Sequence, residues 1–181
     1  AQAPQAAQAL AGQDLVVTVG ETRQLAYVGI GSNLARPRQQ VEQAIAALET
    51  IPQTSVIARS SLYRSAPFGP VAQPDFRNAV AALATGLDVA SLFRCLQEIE
   101  DRQGRVRGER WGPRVIDLDL LVFADALITT ADLTVPHPGI AQRNFVLLPL
   151  QEIAPDLIIP GLGRVADIAV NRDEPRISRI D

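Results

Sequence analysis

Segments with the apolar pattern of β-strands alternate with segments of helical periodicity along much of the chain. The run LAYVGIGSNL predicts a buried strand that turns at residues 31–33 into a helix starting at Pro37. The run RNAVAALAT predicts a second core strand, and a helix over residues 89–103 follows it. A further strand is predicted over residues 115–123. This alternation indicates an α/β or α+β sandwich, in which helices cover a sheet.

The other segments divide the chain into a leading part and one domain. Residues 1–13, AQAPQAAQALAGQ, have helix propensity but little that could form a core, so we expect a weakly ordered tail or a short helix. The run DLVVTVG predicts an extra strand, TSVIARSSLYRS is strand-like, and the prolines of APFGPVAQPDF predict a loop. We therefore expect a tail over residues 1–24 and one compact domain over residues 25–181.

The charge of the chain restricts its possible functions. The formal net charge is −3, which argues against a general binder of nucleic acid or of anionic membranes, because both depend on widespread positive charge. All 17 basic residues are arginine. The absence of lysine excludes a phosphate-binding loop that ends in Gly-Lys-Ser/Thr and excludes a Schiff-base lysine.

Cysteine and histidine each occur once, as Cys95 and His137. One chain therefore assembles neither a disulfide framework nor a zinc site of cysteine and histidine ligands. No apolar run approaches the roughly 20 residues that span a bilayer, and the first residues lack the pattern of a signal peptide. We expect a cytoplasmic protein with no membrane partner.

The stretch RVRGERWGPRVIDLDLLVF carries most of the candidate chemistry. Four arginines lie in its glycine-containing loop, namely Arg105, Arg107, Arg110 and Arg114. Guanidinium groups donate paired hydrogen bonds to phosphate oxygens, and glycines allow such a loop to move. Asp117 and Asp119 follow on the predicted strand, where alternation points residues i and i+2 to one face, roughly 7 Å apart. Closely spaced carboxylates favour a hard divalent cation, so the stretch predicts a site for a metal-bound polyphosphate.

Strict alternation also predicts that Leu121 and Phe123 continue the face of the two aspartates. Two other interpretations of the stretch stay open. The aspartates could be surface residues that pair with arginine. The loop could instead be a solvated basic segment that touches RNA through its arginines and Trp111.

Aromatic and amide side chains mark a second candidate region, over residues 65–78. Phe68 and Phe76 could clamp a heteroaromatic ring while the Asn78 amide reads its edge, although two phenylalanines are also common in a core. His137 lies between two prolines, close to Thr134. It is either a half-buried structural imidazole or a phosphate contact.

With these residues the chain resembles the 6-hydroxymethyl-7,8-dihydropterin pyrophosphokinase family of folate biosynthesis, over residues 25–168. The similarity lies in GSN at 31–33, YRSAPFGPVAQPDFRNA at 63–79, GRVRGERWGPRVIDLDLL at 104–121 and LTVPHPGIAQRNFVLLPLQEIAPDL at 133–157. The resemblance implies an α+β fold, an αβα sandwich with a ferredoxin-like core and a mainly antiparallel sheet covered by helices. It also implies that ATP is the co-substrate and that its pyrophosphoryl group passes to 6-hydroxymethyl-7,8-dihydropterin, giving the pterin diphosphate and AMP.

The resemblance assigns roles to individual positions. Asp117 and Asp119 would hold two Mg²⁺ ions, and Arg105 and Arg114 would be catalytic. The implied ATP contacts are Gln97, Glu100, Arg107, Arg110, Thr134 and His137. The implied pterin contacts are Ser65, Ala66, Phe68, Phe76, Asn78, Trp111, Arg143 and Phe145, with Phe76 and Phe145 as the two rings that sandwich the pterin. Ser65-Ala66 departs from the family, since many members have Thr-Pro there.

Two rival functions fit parts of the same sequence pattern. A Mg²⁺-dependent nucleotidyltransferase also pairs Gly-Ser with Asp-x-Asp, but close together in sequence, whereas Gly31-Ser32 and Asp117 lie far apart here. A non-catalytic RNA-binding module could use the loop over residues 105–114. The resemblance favours small-molecule substrates, no nucleic-acid partner and a monomer.

Overall fold

The computed structural model describes residues 15–17, 21–108 and 110–180. The α-helices are α1 (Pro37–Leu48), α2 (Val89–Arg102) and α3 (Asn144–Ile153). The strands are β1 (Leu15–Val17), β2 (Glu21–Ser32), β3 (Thr54–Arg59), β4 (Leu62–Ser65), β5 (Phe76–Thr85), β6 (Asp117–Phe123), β7 (Ile128–Thr129), β8 (Thr134–Val135), β9 (Ile158–Ile159), β10 (Gly163–Arg164) and β11 (Ile177–Ile180). The predicted helices and core strands are confirmed, with boundaries that differ by a few residues.

Seven strands form the main sheet, and its pairings are antiparallel. Strands β2 and β5 lie side by side at the centre. The other edge of β2 pairs with β1 and then with β6, while the other edge of β5 pairs with β3 and then with β4. Strand β11 pairs with β4 at the margin. This sheet with its helices confirms the α+β prediction.

Helices cover both faces of the sheet because residues along β2 alternate between two cores. Val28 packs in a cluster with Leu48 of α1 and Leu96 of α2. Tyr27, the preceding residue, packs on the opposite face in a cluster with Leu147 of α3. Each of these side chains is almost fully buried, which stabilises the fold by about 1.5–3 kcal/mol for each large apolar side chain.

The strand-like run TSVIARSSLYRS forms two strands, and the break falls at Ser60 and Ser61. The Ser60 amide donates to the Val80 carbonyl at 2.9 Å, and the Ser60 hydroxyl accepts from the Val80 amide at 2.9 Å. The chain therefore stays attached to β5 across the break. Strand β4 thereby reaches the end of β5 where the polar residues lie.

Strand β6 departs from the strict alternation that its sequence predicts. In its pairing with β2, Leu120 and Val122 oppose consecutive residues, so Leu121 is the extra residue of a β-bulge. Leu120 and Phe123 pack in the α1–α2 cluster, whereas Leu121 and Val122 pack in the α3 cluster. The prediction that Leu121 and Phe123 share one face is wrong, because the bulge shifts the alternation between them.

The leading part of the chain is only partly described. The predicted tail over residues 1–13 lies outside the described residues, whereas the predicted extra strand is present as β1, and β2 begins at Glu21. The boundary of the domain stays a prediction. Within residues 15–17, 21–108 and 110–180, no helix combines the length and apolar character needed to cross a membrane.

Candidate active site

A pocket opens on the α3 side of the sheet, where the ends of β2, β5 and β6 lie together. Gly31 of β2 is paired with Asn78 of β5 and with Asp117 of β6, and Gly29 is paired with Asp119. A Cβ at Gly31 would lie 3.1 Å from Oδ1 of Asn78. Glycine on β2 therefore keeps the floor of the pocket open between the amide and the two carboxylates.

The pocket wall brings together most of the predicted site residues. It contains all the predicted pterin contacts, both predicted metal ligands and one predicted catalytic arginine: Ser65, Ala66, Phe68, Phe76, Asn78, Trp111, Arg143, Phe145, Asp117, Asp119 and Arg114. It also contains residues that the sequence analysis did not identify: Gly29, Ile30, Gly31, Ala79, Gly112 and Val146.

Two arginines neutralise Asp117. Nη1 of Arg114 donates to Oδ2 of Asp117 at 2.6 Å, and Nη1 of Arg105 lies 2.9 Å from Oδ1. Arg105 also forms an ion pair with Glu100, which is buried and accepts a 2.7 Å hydrogen bond from the Leu118 amide. Burial raises the pKa of Glu100, although the Leu118 amide and Arg105 oppose that shift. Glu100 thus holds Arg105 against Asp117 and faces inward.

The negative charge of Asp119 is less well compensated by nearby cations than that of Asp117. Nη1 of Arg143 lies 3.8 Å from Oδ2 of Asp119, and Nε2 of His137 lies 4.0 Å from the same atom. Burial, and after it the charge of Asp117, raises the pKa of Asp119 to about 7, although Arg143 lowers it. The side chain is 33% exposed through the pocket mouth. Its ionised form would therefore gain from an additional cation.

His137 is held in a neutral form beside Asp119. The Gly139 amide donates to Nδ1 of His137 at 3.0 Å, which leaves Nε2 as the protonated nitrogen of the neutral ring. Burial, together with the nearby Arg143 guanidinium, lowers the pKa of His137 to about 4. At neutral pH the imidazole is therefore a hydrogen-bond donor and not a cation.

The two aspartates fit a cation that brings other ligands with it. In the part of the chain that the structure describes, no cluster of three or more His, Cys, Asp or Glu side chains is arranged to hold a metal. Mg²⁺ is ordinarily bound by one or two carboxylates, with water and substrate phosphates as its other ligands. Asp117 and Asp119, together with the raised pKa of Asp119, suit Mg²⁺ that arrives with a polyphosphate.

Aromatic rings gather on the other side of the pocket. The ring centroids of Phe68 and Trp111 lie 5.2 Å apart, and those of Phe68 and Phe145 lie 6.5 Å apart. The guanidinium carbons of Arg110 and Arg143 lie 5.4 Å and 5.7 Å from the centroid of the Trp111 ring, in the range of cation–π contacts. A flat ligand could enter between these rings and the carboxylates.

Polar atoms close the inner end of the aromatic region. Nδ2 of Asn78 donates to the Ser65 hydroxyl at 2.8 Å, and both residues are buried. Phe76 lies two residues before Asn78 and therefore on the same face of β5. Phe76 and Phe145 both line the pocket, as the sandwich prediction requires, but Phe68 packs beside Phe145 as well.

Asn33 joins the two loops that flank the pocket. Its Oδ1 accepts from the Arg114 amide at 2.8 Å, and its Nδ2 donates to Oε1 of Gln73 and to the Pro74 carbonyl, both at 2.9 Å. Nε2 of Gln73 in turn donates to the Trp111 carbonyl at 2.6 Å. GSN was predicted to be a turn and is part of the family resemblance, but neither assigns partners to Asn33. No local signal could identify them, because they lie 40, 41 and 81 residues away in the sequence.

The remaining predicted ATP contacts lie outside the pocket wall. Arg107 and Arg110 are exposed on the arginine loop, and Gln97 and Thr134 are partly exposed on α2 and β8. Arg110 lies beside the Trp111 ring, as its cation–π distance shows. The contact of these residues with a nucleotide stays a prediction.

Comparison with protein families and sequences gives a consistent result. The family model described as 7,8-dihydro-6-hydroxymethylpterin-pyrophosphokinase (HPPK) matches residues 27–155. The chain is 51% identical, over 137 residues, to the 2-amino-4-hydroxy-6-hydroxymethyldihydropteridine pyrophosphokinase of Pseudomonas aeruginosa; the match covers 76% of this chain and 85% of that protein. It is 45% identical, over 143 residues, to the protein of the same name from Haemophilus influenzae, with 79% and 89% covered.

Solved structures support the fold. The Plasmodium falciparum HPPK-DHPS A437G/K540E variant with pterin and p-hydroxybenzoate aligns with a TM-score of 0.67 at 15% identity, over 93% of this chain and 49% of that chain. The S436F/A437G/A613T variant with pteroate aligns with a TM-score of 0.63 at 14% identity, over 83% of this chain and 43% of that chain. This chain therefore corresponds to less than half of those longer chains, and the likeness bears on the fold alone.

Proposed function

The chain belongs to the 7,8-dihydro-6-hydroxymethylpterin-pyrophosphokinase family, and we propose that its pocket holds the pterin beside the triphosphate of ATP. It is an ATP-dependent diphosphotransferase of folate biosynthesis. It transfers the pyrophosphoryl group of ATP to 6-hydroxymethyl-7,8-dihydropterin, giving the pterin diphosphate and AMP. The observation that carries the site proposal is the single pocket in which Asp117, Asp119 and Arg114 face the aromatic wall.

We propose that the pterin lies at the aromatic end of the pocket. Phe76 and Phe145 would contact the two faces of its ring, and Asn78 would read its polar edge. Ser65 supports this role because it accepts from Nδ2 of Asn78 and so fixes the orientation of the amide. Trp111, at the mouth, would cover the ring once the substrate is in place.

We propose that Asp117 and Asp119 hold Mg²⁺, as two ions, at the carboxylate end of the pocket. When bound, Mg²⁺ neutralises the charge of the triphosphate and aligns it for in-line attack. The chain's own contribution is to keep both carboxylates on one face of β6, paired with Gly31 and Gly29 of β2. The β-bulge at Leu121 follows directly and does not disturb that register.

The arginines would act on the charge that develops during transfer. Arg105 and Arg114 both contact Asp117 in this structure, so each guanidinium is already positioned at the metal end of the pocket. In the reaction they would donate to oxygens of the transferred group and stabilise their negative charge. Glu100, which is buried against Arg105, would position that guanidinium, and its contact with the nucleotide stays a prediction.

The other predicted ATP contacts would bind the nucleotide around this centre. Arg107, Arg110 and Thr134 would contact phosphates, Gln97 the nucleoside, and neutral His137 would donate from Nε2 to a phosphate oxygen. The hydroxymethyl oxygen of the pterin would attack the β-phosphorus, and the bond between that phosphorus and the oxygen retained by AMP would break. The hydroxyl proton of the pterin is released to solvent, so each turnover gives AMP, the pterin diphosphate and one proton.

The reaction is tested by analysis of its nucleotide products. Purified protein with ATP, Mg²⁺ and 6-hydroxymethyl-7,8-dihydropterin should form AMP and pterin diphosphate in equal amounts, without ADP, and only when the pterin is present. The nucleotidyltransferase alternative, which is not favoured, would release pyrophosphate. The RNA-binding alternative would give no products and a binding affinity for RNA that falls steeply with salt.

A further inference from the structure

Gly139 lies on the inner side of Arg143, and its missing side chain leaves the space that Arg143 occupies. A Cβ at position 139 would lie 2.8 Å from Nε of Arg143 and 3.1 Å from both Cδ and Cζ. Carbon atoms do not approach these groups so closely without displacement. The contact involves Cδ together with Nε and Cζ of the guanidinium, so rotating only the terminal nitrogens would not relieve it.

The backbone of Gly139 does not itself require glycine. Its φ and ψ are −91° and 2°, the conformation of residue i+2 in a type I turn, which residues other than glycine also adopt. Its amide donates to Nδ1 of His137, and its carbonyl accepts from the Gln142 amide at 3.3 Å. The position of the backbone is therefore fixed on both sides. A substitution at this position would act through the added Cβ.

The backbone of Arg143 is equally fixed. Its carbonyl accepts hydrogen bonds from the amides of Val146 and Leu147, at 3.0 Å and 2.9 Å, at the start of α3. A Cβ at position 139 would consequently displace the Arg143 side chain and not its backbone. That side chain reaches two parts of the site: Nη1 lies 3.8 Å from Asp119, and the guanidinium carbon lies 5.7 Å from the centroid of Trp111.

We propose that Gly139 is a positioning residue whose lack of a side chain lets the Arg143 guanidinium bridge Asp119 and Trp111, linking the metal end of the pocket to its aromatic cover. The catalytic part of this inference rests on the proposed function. The geometric part does not, because the contact between Arg143 and Trp111 exists without substrate. Displacement of a positioned group by about 1 Å is enough to reduce turnover by one or two orders of magnitude.

The experiment is a double-mutant cycle with Gly139→Ala and Arg143→Ala in the full chain. Trp111 is the only tryptophan of the sequence, so its emission reports on the two guanidinium groups beside it, those of Arg110 and Arg143. The Arg143→Ala variant isolates the part that belongs to Arg143. Gly139→Ala should shift that emission in the same direction as Arg143→Ala, without substrate. It should lower kcat/KM for the pterin by about tenfold, whereas in the Arg143→Ala background it should change kcat/KM by less than about twofold.

Gly86→Ala is the matched control. A Cβ there would lie 2.9 Å from Oε1 of Gln53, so it meets a side chain just as closely, but outside the pocket. This variant should keep the wild-type emission and kinetics. If the two variants lose stability to the same extent and only Gly139→Ala loses activity, the loss of activity is due to the displaced Arg143 side chain and not to general strain.

Three outcomes would overturn the proposal: wild-type emission in Gly139→Ala, equal losses of kcat/KM from Gly139→Ala in both backgrounds, or no change of emission in Arg143→Ala. If Gly139→Ala alone does not fold, the double variant should fold, because the clash is gone; failure of both would also reject the idea. Absence of activity in the wild type would refute the proposed function, while the emission measurements would still decide the geometry.

Discussion

Replacing Asn33 by alanine should both destabilise the protein and disturb the site. The substitution removes three side-chain hydrogen bonds, to the Arg114 amide, to Gln73 and to the Pro74 carbonyl. Each is worth about 1 kcal/mol, so the free energy of unfolding should fall by about 3 kcal/mol. For a chain of this length the melting temperature should fall by roughly 6–12 °C.

The same change should reduce turnover, because Asn33 is the point where the loops carrying Arg114 and Gln73 meet. Gln73 fixes the Trp111 carbonyl, so loosening it frees the aromatic cover as well. We expect kcat to fall by about tenfold. Asn33→Asp should not rescue this loss, because a carboxylate accepts from the Arg114 amide but cannot donate to Gln73 or Pro74.

The assay combines urea unfolding, followed by circular dichroism and by Trp111 emission, with steady-state kinetics. Thr54→Val is the control, because it removes two hydrogen bonds on the far part of the sheet, a buried one of 2.7 Å with the Thr85 hydroxyl and one of 2.9 Å to the Pro52 carbonyl. It should cost about 1–2 kcal/mol and leave kcat unchanged. If Asn33→Ala lowered the free energy of unfolding by less than about 1 kcal/mol and kept normal turnover, the proposal that Asn33 joins the two loops would be refuted.

Three further outcomes are expected around the carboxylates. Asp119 binds a proton in the native state up to about pH 7, whereas the unfolded chain has released it near pH 4, so its ionisation opposes folding and metal-free stability should fall as pH rises between these values. Asp119→Asn should remove that fall and raise the free energy of unfolding at pH 7 by about 1–2 kcal/mol, after allowance for the exposure of the side chain. The variant should keep the effect of His137, which is a loss of stability as the pH falls from about 6.5 toward 4. Urea unfolding measured across this pH range tests both expectations. Asp117→Ala should lower turnover by about a hundredfold with the circular dichroism spectrum retained, and near-normal turnover at saturating Mg²⁺ and ATP would contradict its assignment as a metal ligand. Arg114→Ala should lower kcat by about a hundredfold and change KM for ATP by less than about threefold, whereas a change in KM alone would assign it to ground-state binding.

The sequence predicts the helices and strands of this fold better than the irregularities within the strands. Apolar periodicity identified α1 and α2, and residue types identified the aromatic and arginine loops as two candidate regions. The fold brings these two regions into one pocket. The β-bulge at Leu121 was missed because it depends on how β6 pairs with β2, and strict alternation is the only information that a single strand contains. The break at Ser60 was missed for a related reason, since it is set by the pairing with β5.

The interior contacts of the site were also beyond the sequence. Glu100 was assigned to ATP by resemblance, and that contact stays a prediction. The sequence did not show that its carboxylate is buried and accepts from the Leu118 amide at the edge of β6. Asn33 was identified as part of a turn and of the GSN motif, but its role in joining two loops was not, because its partners come from distant loops. Residue type indicates which chemistry is available, whereas long-range packing decides which atom each group faces.

The charges of the pocket explain why these carboxylates and arginines coexist without a ligand. Asp117 is neutralised by Arg105 and Arg114, and Asp119 lies at longer distance from Arg143. Binding of ATP with Mg²⁺ would exchange partners: the carboxylates would turn to the cation, and the same arginines would turn to phosphate oxygens. The arginines that would donate to the phosphate oxygens already lie in the site, so these donors are organised before the reaction. The weaker pairing of Asp119, with its pKa near 7, makes it the carboxylate that gains most from the cation, whereas Asp117 must first release its arginines.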